Sequence, residues 1–215
     1  MGRPSTLEDK RREFLPILAA AFAEFGFRRV TSAVIAERCG VRENVLYRIW
    51  PDKQAMFLAT LEWVYDSSER TWERVLANSA DERSPFLRLL EYEARHLGEH
   101  GLHRIVFAGL SETDDPKIKR ALRGLYVRFQ SLVKRKLDEH RGADSEHLLD
   151  SDLAAWAVLG LGTIANLGRE LSLLDGQDRD ELLSQAGRLL ADSRRAVTVR
   201  APGSRSTPGP RRGRR

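Results

Sequence analysis

With 215 residues, of which 41% are hydrophobic and 31% charged, the chain is long enough to bury a core and has the composition of one or two soluble domains. Its one cysteine, Cys39, excludes an intramolecular disulfide and fits a reducing compartment. The polar N-terminus carries no apolar leader, and the longest uncharged run is too short for a membrane span, so we expect a cytoplasmic protein without membrane contact.

The net charge of +5 is distributed unevenly along the chain. Residues 1–53 carry a net +3, residues 54–192 a net −6, and residues 193–215 a net +8. Two basic ends on an acidic body are typical of a protein that binds DNA. The Pro-, Gly-, Ser- and Arg-rich tail, 198–215, is predicted to be disordered; its arginines either reach a minor groove or attract DNA non-specifically.

The first predicted helix begins near Ser5 or Thr6, where Glu8 or Asp9 would complete a capping box. Its apolar stripe ends at Gly26. Pro16 lies inside this pattern, where proline removes a hydrogen bond, so the helix either kinks there or starts as a separate turn.

Residues 31–53 are predicted to form two short helices joined by a glycine turn. Helically spaced apolar residues stop at Gly40, where a left-handed backbone is cheap only for glycine, and restart at Val41. This leaves an outward face that could enter a major groove, formed by Arg42, Glu43, Asn44, Tyr47 and Arg48. The same spacing also fits an ordinary αα-hairpin with a solvated charged face.

This segment resembles the signature of the TetR/AcrR transcriptional regulators over about residues 7–60, in residues that include Ala36, Gly40, Val41, Leu46, Tyr47, Trp50 and Lys53. The resemblance implies an all-α, non-enzymatic, dimeric DNA-binding repressor. We expect an N-terminal three-helix helix-turn-helix DNA-binding head, 1–53, a larger helical ligand-binding and dimerisation body, 54–197, and the basic tail, 198–215.

The predicted DNA contacts fall into two groups. Thr31 is expected at a helix N-cap beside a phosphate, and Tyr47 and Lys53 match family positions that hold the DNA backbone. Arginine suits the edge of guanine and asparagine that of adenine. The candidates for base readout are therefore Arg42, Asn44 and Arg48.

Three details qualify this assignment. Glu43 could accept from a cytosine amino group or pair with a neighbouring arginine. Where relatives often carry Ser, this chain has Arg42, so the second short helix lacks its usual cap and has a cation at its N-terminus. Where relatives often carry Thr, it has Val45, which cannot bind a phosphate through a hydroxyl.

The remaining helices are predicted from about 53–78, 85–99, 103–110, 116–140, 148–174 and 178–197. The 148–174 segment is apolar nearly all round and rich in alanine and glycine, so it must be buried. One chain has too few neighbours to cover it together with 182–190. A homodimer that packs 148–174 and 178–197 into a four-helix bundle would cover both; a central position in a monomeric core is the alternative.

Aromatic and polar groups on the body helices are candidates for a pocket that binds a small hydrophobic effector, although each also fits as core filler. They are Trp63, Tyr92, His96, Phe107, Tyr126, Phe129, Trp156 and Asn166. His96, His100 and His103 have metal-compatible spacing, but no cysteine or carboxylate cluster completes a site, so we expect no metal and no cofactor.

Two other classes of function are alternatives to a DNA-binding regulator. An enzyme is disfavoured because the sequence has no Ser/His/Asp order, phosphate-binding glycine loop or metal framework. The other alternative is a helical small-molecule-binding or interaction protein that keeps the motif only as structure.

Overall fold

The computed structural model describes residues 6–77, 82–96, 98, 102–142 and 147–194. Predictions for Ser5, His100, residues 78 and 99, the end of the last helix beyond 194, and the tail 198–215 lie outside these residues. The helices of the described part are α1 Leu7–Arg29, α2 Ser32–Arg38, α3 Glu43–Ile49, α4 Lys53–Leu76, α5 Pro85–His96, α6 Leu102–Leu110, α7 Pro116–Arg141, α8 Ser151–Glu170, α9 Gly176–Glu181 and α10 Gly187–Asp192, with a π-helical segment, Leu182–Ala186, between the last two.

The first helix begins with the expected capping box. Thr6 Oγ1 accepts from the backbone N–H of Asp9 at 3.1 Å, and the carboxylate of Asp9 accepts from the N–H of Thr6 at 3.0 Å. Helical backbone continues through Pro16, so the first turn is not a separate piece; the interruption falls at Gly26, with φ 76° and ψ 165°. Pro16 is tolerated because it lies on an exposed turn, where water can satisfy the freed carbonyl.

The turn between α2 and α3 has the geometry that the sequence predicts. Gly40 has φ 66°, and its N–H donates to Glu37 O at 3.0 Å. The next N–H, of Val41, reaches back to Ala36 O at 3.0 Å. This pair of hydrogen bonds is a Schellman motif, which ends α2 and redirects the chain into α3.

One hydrophobic cluster extends from the head into the body. Leu18 and Phe22 of α1 and Ile35 of α2 belong to it, together with Phe57 of α4 and Ile118 of α7. Asp52 caps α4 by accepting from the N–H of Ala55 at 2.7 Å. Lys53, the last residue of the expected head, is therefore the first residue of a body helix. The head is therefore packed on the body without a flexible linker.

Helix α8 is shorter than the predicted 148–174 segment. Asp150 caps its first turn by accepting from the N–H of Leu153 at 2.9 Å. At the other end Ser172 adopts φ 55°, and the N–H of Leu173 donates to Gly168 O at 2.8 Å. Serine rarely adopts this left-handed conformation, so the end of α8 at this position was not predictable from the residue type.

The predicted 178–197 helix also differs, because it begins earlier and includes a π-helical segment. Asp175 forms a capping box with Asp178, which moves the start to Gly176. A Cβ placed on Gly187 would lie 2.6 Å from Leu90 Cδ1, so a larger residue at the start of α10 would push the Leu90 side chain of α5 aside. Within the residues described, no helix is long and apolar enough to cross a membrane.

Candidate nucleic-acid interface

The candidate recognition surface is the outer face of α3. Leu46 points inward and is 0% exposed, and it packs with Ile35 of α2 in the shared core. The five residues expected to point outward are all exposed, namely Arg42, Glu43, Asn44, Tyr47 and Arg48. A seven-residue helix with a buried apolar side and an open polar side has the dimensions of a major-groove reader.

Two of these outward residues are cations that no other side chain in the described structure neutralises. Neither Arg42 nor Arg48 forms an ion pair or hydrogen bond with the described residues. Arg38 of α2, by contrast, pairs with Glu24 at 2.7 Å and lies over the ring of Phe25. The outer face of α3 therefore presents two positive charges that are available to a ligand.

Arg42 occupies the N-cap of α3 without acting as a cap. Its backbone is extended, with φ −82° and ψ 151°, but its side chain accepts no hydrogen bond from the helix. A guanidinium has no acceptor, and its charge opposes the positive end of the helix dipole. This arrangement confirms that the second short helix lacks a side-chain cap.

The N-terminus of α2 and the middle of α3 are joined by hydroxyl groups. Thr31 is the N-cap of α2, and its Oγ1 accepts from the N–H of Val34 at 3.2 Å. The hydroxyls of Ser32 and Tyr47 lie 2.7 Å apart, while Tyr47 remains 45% exposed. Sequence reasoning missed Ser32, whose only signal was its position next to a predicted N-cap.

Lys53 is held by the protein itself in this structure. Its ammonium donates to Val30 O at 3.1 Å and to Arg28 O at 3.5 Å, and lies 4.8 Å from the centre of the Phe27 ring. These contacts join the start of α4 to the C-terminal end of α1. The sequence predicted a contact with DNA at Lys53 and did not foresee these internal bonds.

Polar contacts also connect the head to the loop between α6 and α7. Arg28 Nε lies 2.9 Å and 3.0 Å from the two carboxylate oxygens of Glu112. Gln54 of α4 donates to Asp115, which also caps α7 by accepting from the N–H groups of Lys117 and Ile118. A shift of this loop would therefore be transmitted to both helices that carry the head.

A partly open cavity of about 1030 Å³ lies between α1 and the helices of the body. Seven of the eight candidate effector-binding residues line it: Trp63, Tyr92, His96, Phe107, Tyr126, Phe129 and Asn166. Trp156 does not; it lies on the outside of α8 and is 45% exposed. Helical periodicity placed Trp156 on α8 but could not tell which side of that helix faces the cavity.

The cavity wall also contains a carboxylate that sequence reasoning missed. Glu93 of α5 lines the cavity, and its Oε1 accepts from Trp72 Nε1 at 2.5 Å. Burial raises the pKa of this carboxyl group, while the Trp72 hydrogen bond and nearby His96 act in the opposite direction. In sequence Glu93 was indistinguishable from the solvated acids that surround it.

The single cysteine is unsuited to redox chemistry. Burial, with a smaller contribution from Glu13, raises the pKa of the Cys39 thiol to about 11. The thiolate is the reactive form, so this sulfur behaves as a small apolar group against the core of the head.

A stripe of apolar side chains remains uncovered on the outer face of α8 and α10 in the single chain. It comprises Leu153, Trp156, Ile164, Leu167, Leu171 and Leu189, each at least 42% exposed. Gly160 lies in the same stripe, and a Cβ added there would meet nothing within 4 Å. Contiguous exposed apolar surface of this kind marks an interaction site.

The comparisons with known proteins agree with this architecture. Residues 17–60, from α1 to the start of α4, match the family model of bacterial regulatory proteins of the tetR family. The chain is 30% identical over 165 residues to the nucleoid occlusion factor SlmA of Pectobacterium carotovorum, an alignment that spans 72% of this chain and 82% of that protein.

Solved structures with the same fold include two regulators of low sequence identity. One is a transcriptional regulator from Saccharomonospora viridis in complex with choline, with a TM-score of 0.70, 19% identity and coverage of 86% of this chain and 97% of the other. The other is the reduced form of Escherichia coli NemR, with a TM-score of 0.71, 16% identity and coverage of 84% and 97%. The chain therefore belongs to the tetR family of bacterial regulatory proteins, as a DNA-binding regulator and not an enzyme.

Proposed function

We propose that this protein is a ligand-responsive repressor that binds a palindromic operator as a homodimer. The observation that carries this proposal is the cavity, because its wall includes residues of α1 and α4, the two helices on which the head is built. A molecule that fills the cavity touches both helices directly. Ligand binding and the position of α3 are thereby coupled through packed structure rather than through a flexible linker.

The proposed DNA contacts divide into base readout and backbone positioning. Arg42, Asn44 and Arg48 read bases from the exposed face of α3, and Glu43 accepts from a cytosine amino group. Tyr47 and the hydroxyl proton of Thr31 contact phosphates. Lys53 also contacts a phosphate, through the ammonium proton that is not donated to the carbonyl oxygens of Arg28 and Val30. Arg42 is favoured as a DNA contact because it is exposed and unpaired at a position where it does not stabilise its own helix.

The proposed dimer buries the α8–α10 stripe against its symmetry mate. Six large apolar side chains and an open glycine on one face suit close helix–helix packing in a bundle of two copies. Ile164→Arg should convert a particle of twice 24.4 kDa into one of 24.4 kDa in light scattering. Val127→Arg, at an exposed apolar residue of α7, is the matched control and should leave the dimer intact.

The proposed effector response runs from the cavity to the head by two routes. An occupant presses directly on Ala19 and Ala23 of α1, and it also displaces α6, whose following loop carries Glu112. Both routes change the separation of the two α3 helices in the dimer. An operator with half-sites about 34 Å apart is then no longer matched.

The proposal is tested by binding to the DNA upstream of the protein's own gene. We expect a sequence-specific electrophoretic shift that weakens steeply with salt, and its reversal by small molecules that raise the melting temperature of the protein. Absence of a shift at low salt on palindromic fragments would contradict the repressor function. It would favour the alternative in which the motif is only structural.

A second candidate function is nucleoid occlusion. The observation that favours it is the 30% identity to a nucleoid occlusion factor over 82% of that protein. A repressor should occupy a few promoter sites and leave them when the effector is added. A nucleoid occlusion factor should occupy sites dispersed over the chromosome, and chromatin immunoprecipitation distinguishes the two.

A further inference from the structure

The proposed effector has no assigned chemistry, and the cavity wall supplies information on this point. Aromatic rings dominate the part of the wall around Glu93. The centre of the Phe129 ring lies 5.4 Å from that of Trp72, and Trp72 donates its indole N–H to Glu93. Aromatic faces attract cations, and a carboxylate beside them in a low-dielectric wall strengthens that preference.

From this arrangement we infer that the cavity binds an organic cation with an apolar body, whose charge lies beside Glu93 and whose body packs against Trp72 and Phe129. The inference rests on the proposed function, because it names the chemical class of the effector. Ionising Glu93 in an apolar wall is costly, and a bound cation offsets that cost. Burial raises the pKa of Glu93 even though the Trp72 hydrogen bond and nearby His96 act in the opposite direction.

Two further residues of the cavity wall present acceptors rather than donors. Asn166 is 8% exposed; its Nδ2 donates to Gly162 O at 3.0 Å and its Oδ1 has no partner. His103 donates from Nε2 to Glu170 at 3.0 Å, and its Nδ1 has no partner. Burial lowers the pKa of His103, so the neutral ring leaves Nδ1 as an acceptor. These two residues therefore add no positive charge to the cavity wall that would favour an anion.

The cationic side chains of the cavity wall are exposed or paired, so they select an anion less strongly than a buried, unpaired cation would. Arg70 and Arg74 are exposed and hydrogen-bonded to Ser67 and Thr71. Lys136 is paired with Glu139 at 2.9 Å. Exposed or paired charges are screened by water and salt, whereas Glu93 is not. The charged and titratable groups that line the cavity besides Glu93 are Arg70, Glu73, Arg74, Tyr92, His96, His103, Tyr126 and Lys136.

The test uses two ions of the same shape and opposite charge, tetraphenylphosphonium and tetraphenylborate, with triphenylphosphine oxide as a neutral probe. Isothermal titration of the full chain should give the phosphonium the lowest dissociation constant of the three. Glu93→Gln should weaken phosphonium binding by about tenfold or more. Glu73→Gln, which removes an exposed carboxylate from the same wall, is the matched control and should change it less than about twofold.

Equal or tighter binding of the borate or of the oxide would overturn the inference, as would the absence of phosphonium binding or an unchanged dissociation constant in Glu93→Gln. The comparison of ions on the unsubstituted chain tests charge selection without any variant. DNA affinity is measured separately. If the phosphonium binds through Glu93 but DNA affinity does not change, the cation site stands and the proposed ligand response fails. If only an anion releases DNA, the proposed ligand response stands and the cation site fails.

Discussion

Arg42→Ser should make the protein more stable and a weaker DNA binder at the same time. The backbone of residue 42 already has the extended conformation of an N-cap, and Arg42 loses no partner when it is replaced. A serine oxygen could accept from the free N–H groups of the first turn of α3, which contributes about 1 kcal/mol. Removing a cation from the positive end of the helix dipole adds roughly 0.3–1 kcal/mol.

A gain of about 1–2 kcal/mol in a chain of this size corresponds to a rise in melting temperature of roughly 2–8 °C in calorimetry. In fluorescence anisotropy with the operator duplex, a dimer that loses two copies of Arg42, each a base contact worth about 1–3 kcal/mol, should bind roughly 30-fold or more weakly. Arg42→Ala, which removes the charge without supplying a cap, is the control. The capping argument is refuted if Ser melts no higher than Ala, and the base contact is refuted if operator affinity is unchanged in both variants.

Three further predictions concern coupling, pH and thiol chemistry. Glu112→Gln removes the partner of Arg28. In anisotropy, this variant should bind DNA within about twofold of the normal affinity when no effector is present, but its affinity should change less when effector is added. Asp114→Asn, in the same loop, is the control and should respond to effector normally. Because burial raises the pKa of Glu93 in the folded state above its unfolded value, the empty protein should lose stability as pH rises from the ordinary carboxyl range through the titration of Glu93. Melting curves of Glu93→Gln should lack this decline, and an identical pH profile would show that Glu93 is not the group responsible. With a thiol pKa of about 11, native Cys39 should react with iodoacetamide far more slowly than free cysteine, and mild oxidants should leave DNA binding intact; rapid labelling would contradict the burial argument.

The head could be predicted from sequence because its signals are local. Gly40 ends α2 through backbone geometry, Asp52 caps α4, and the apolar spacing fixes which side of α3 carries Leu46. Each of these depends on residues within a few positions of one another. The capping box at Thr6 was predictable for the same reason.

The features that the sequence did not predict depend on contacts between distant residues or on rare backbone states. Trp156 has the same helical periodicity as a cavity residue, and only the packing of α8 on the rest of the body shows that it faces outward. Glu93 is a site residue only because α5 packs against α4, where Trp72 donates a hydrogen bond to it. The carbonyls that bind Lys53 belong to the end of another helix, and Ser172 ends α8 in a conformation that serine rarely adopts.

Hydroxyl-radical footprinting of the protein on the DNA upstream of its own gene tests the central claim most directly. The account predicts two protected patches centred about one helical turn apart, both lost in Ile164→Arg because a monomer presents one α3 only. A single protected patch, or an unchanged footprint with the monomeric variant, would contradict recognition by paired α3 helices.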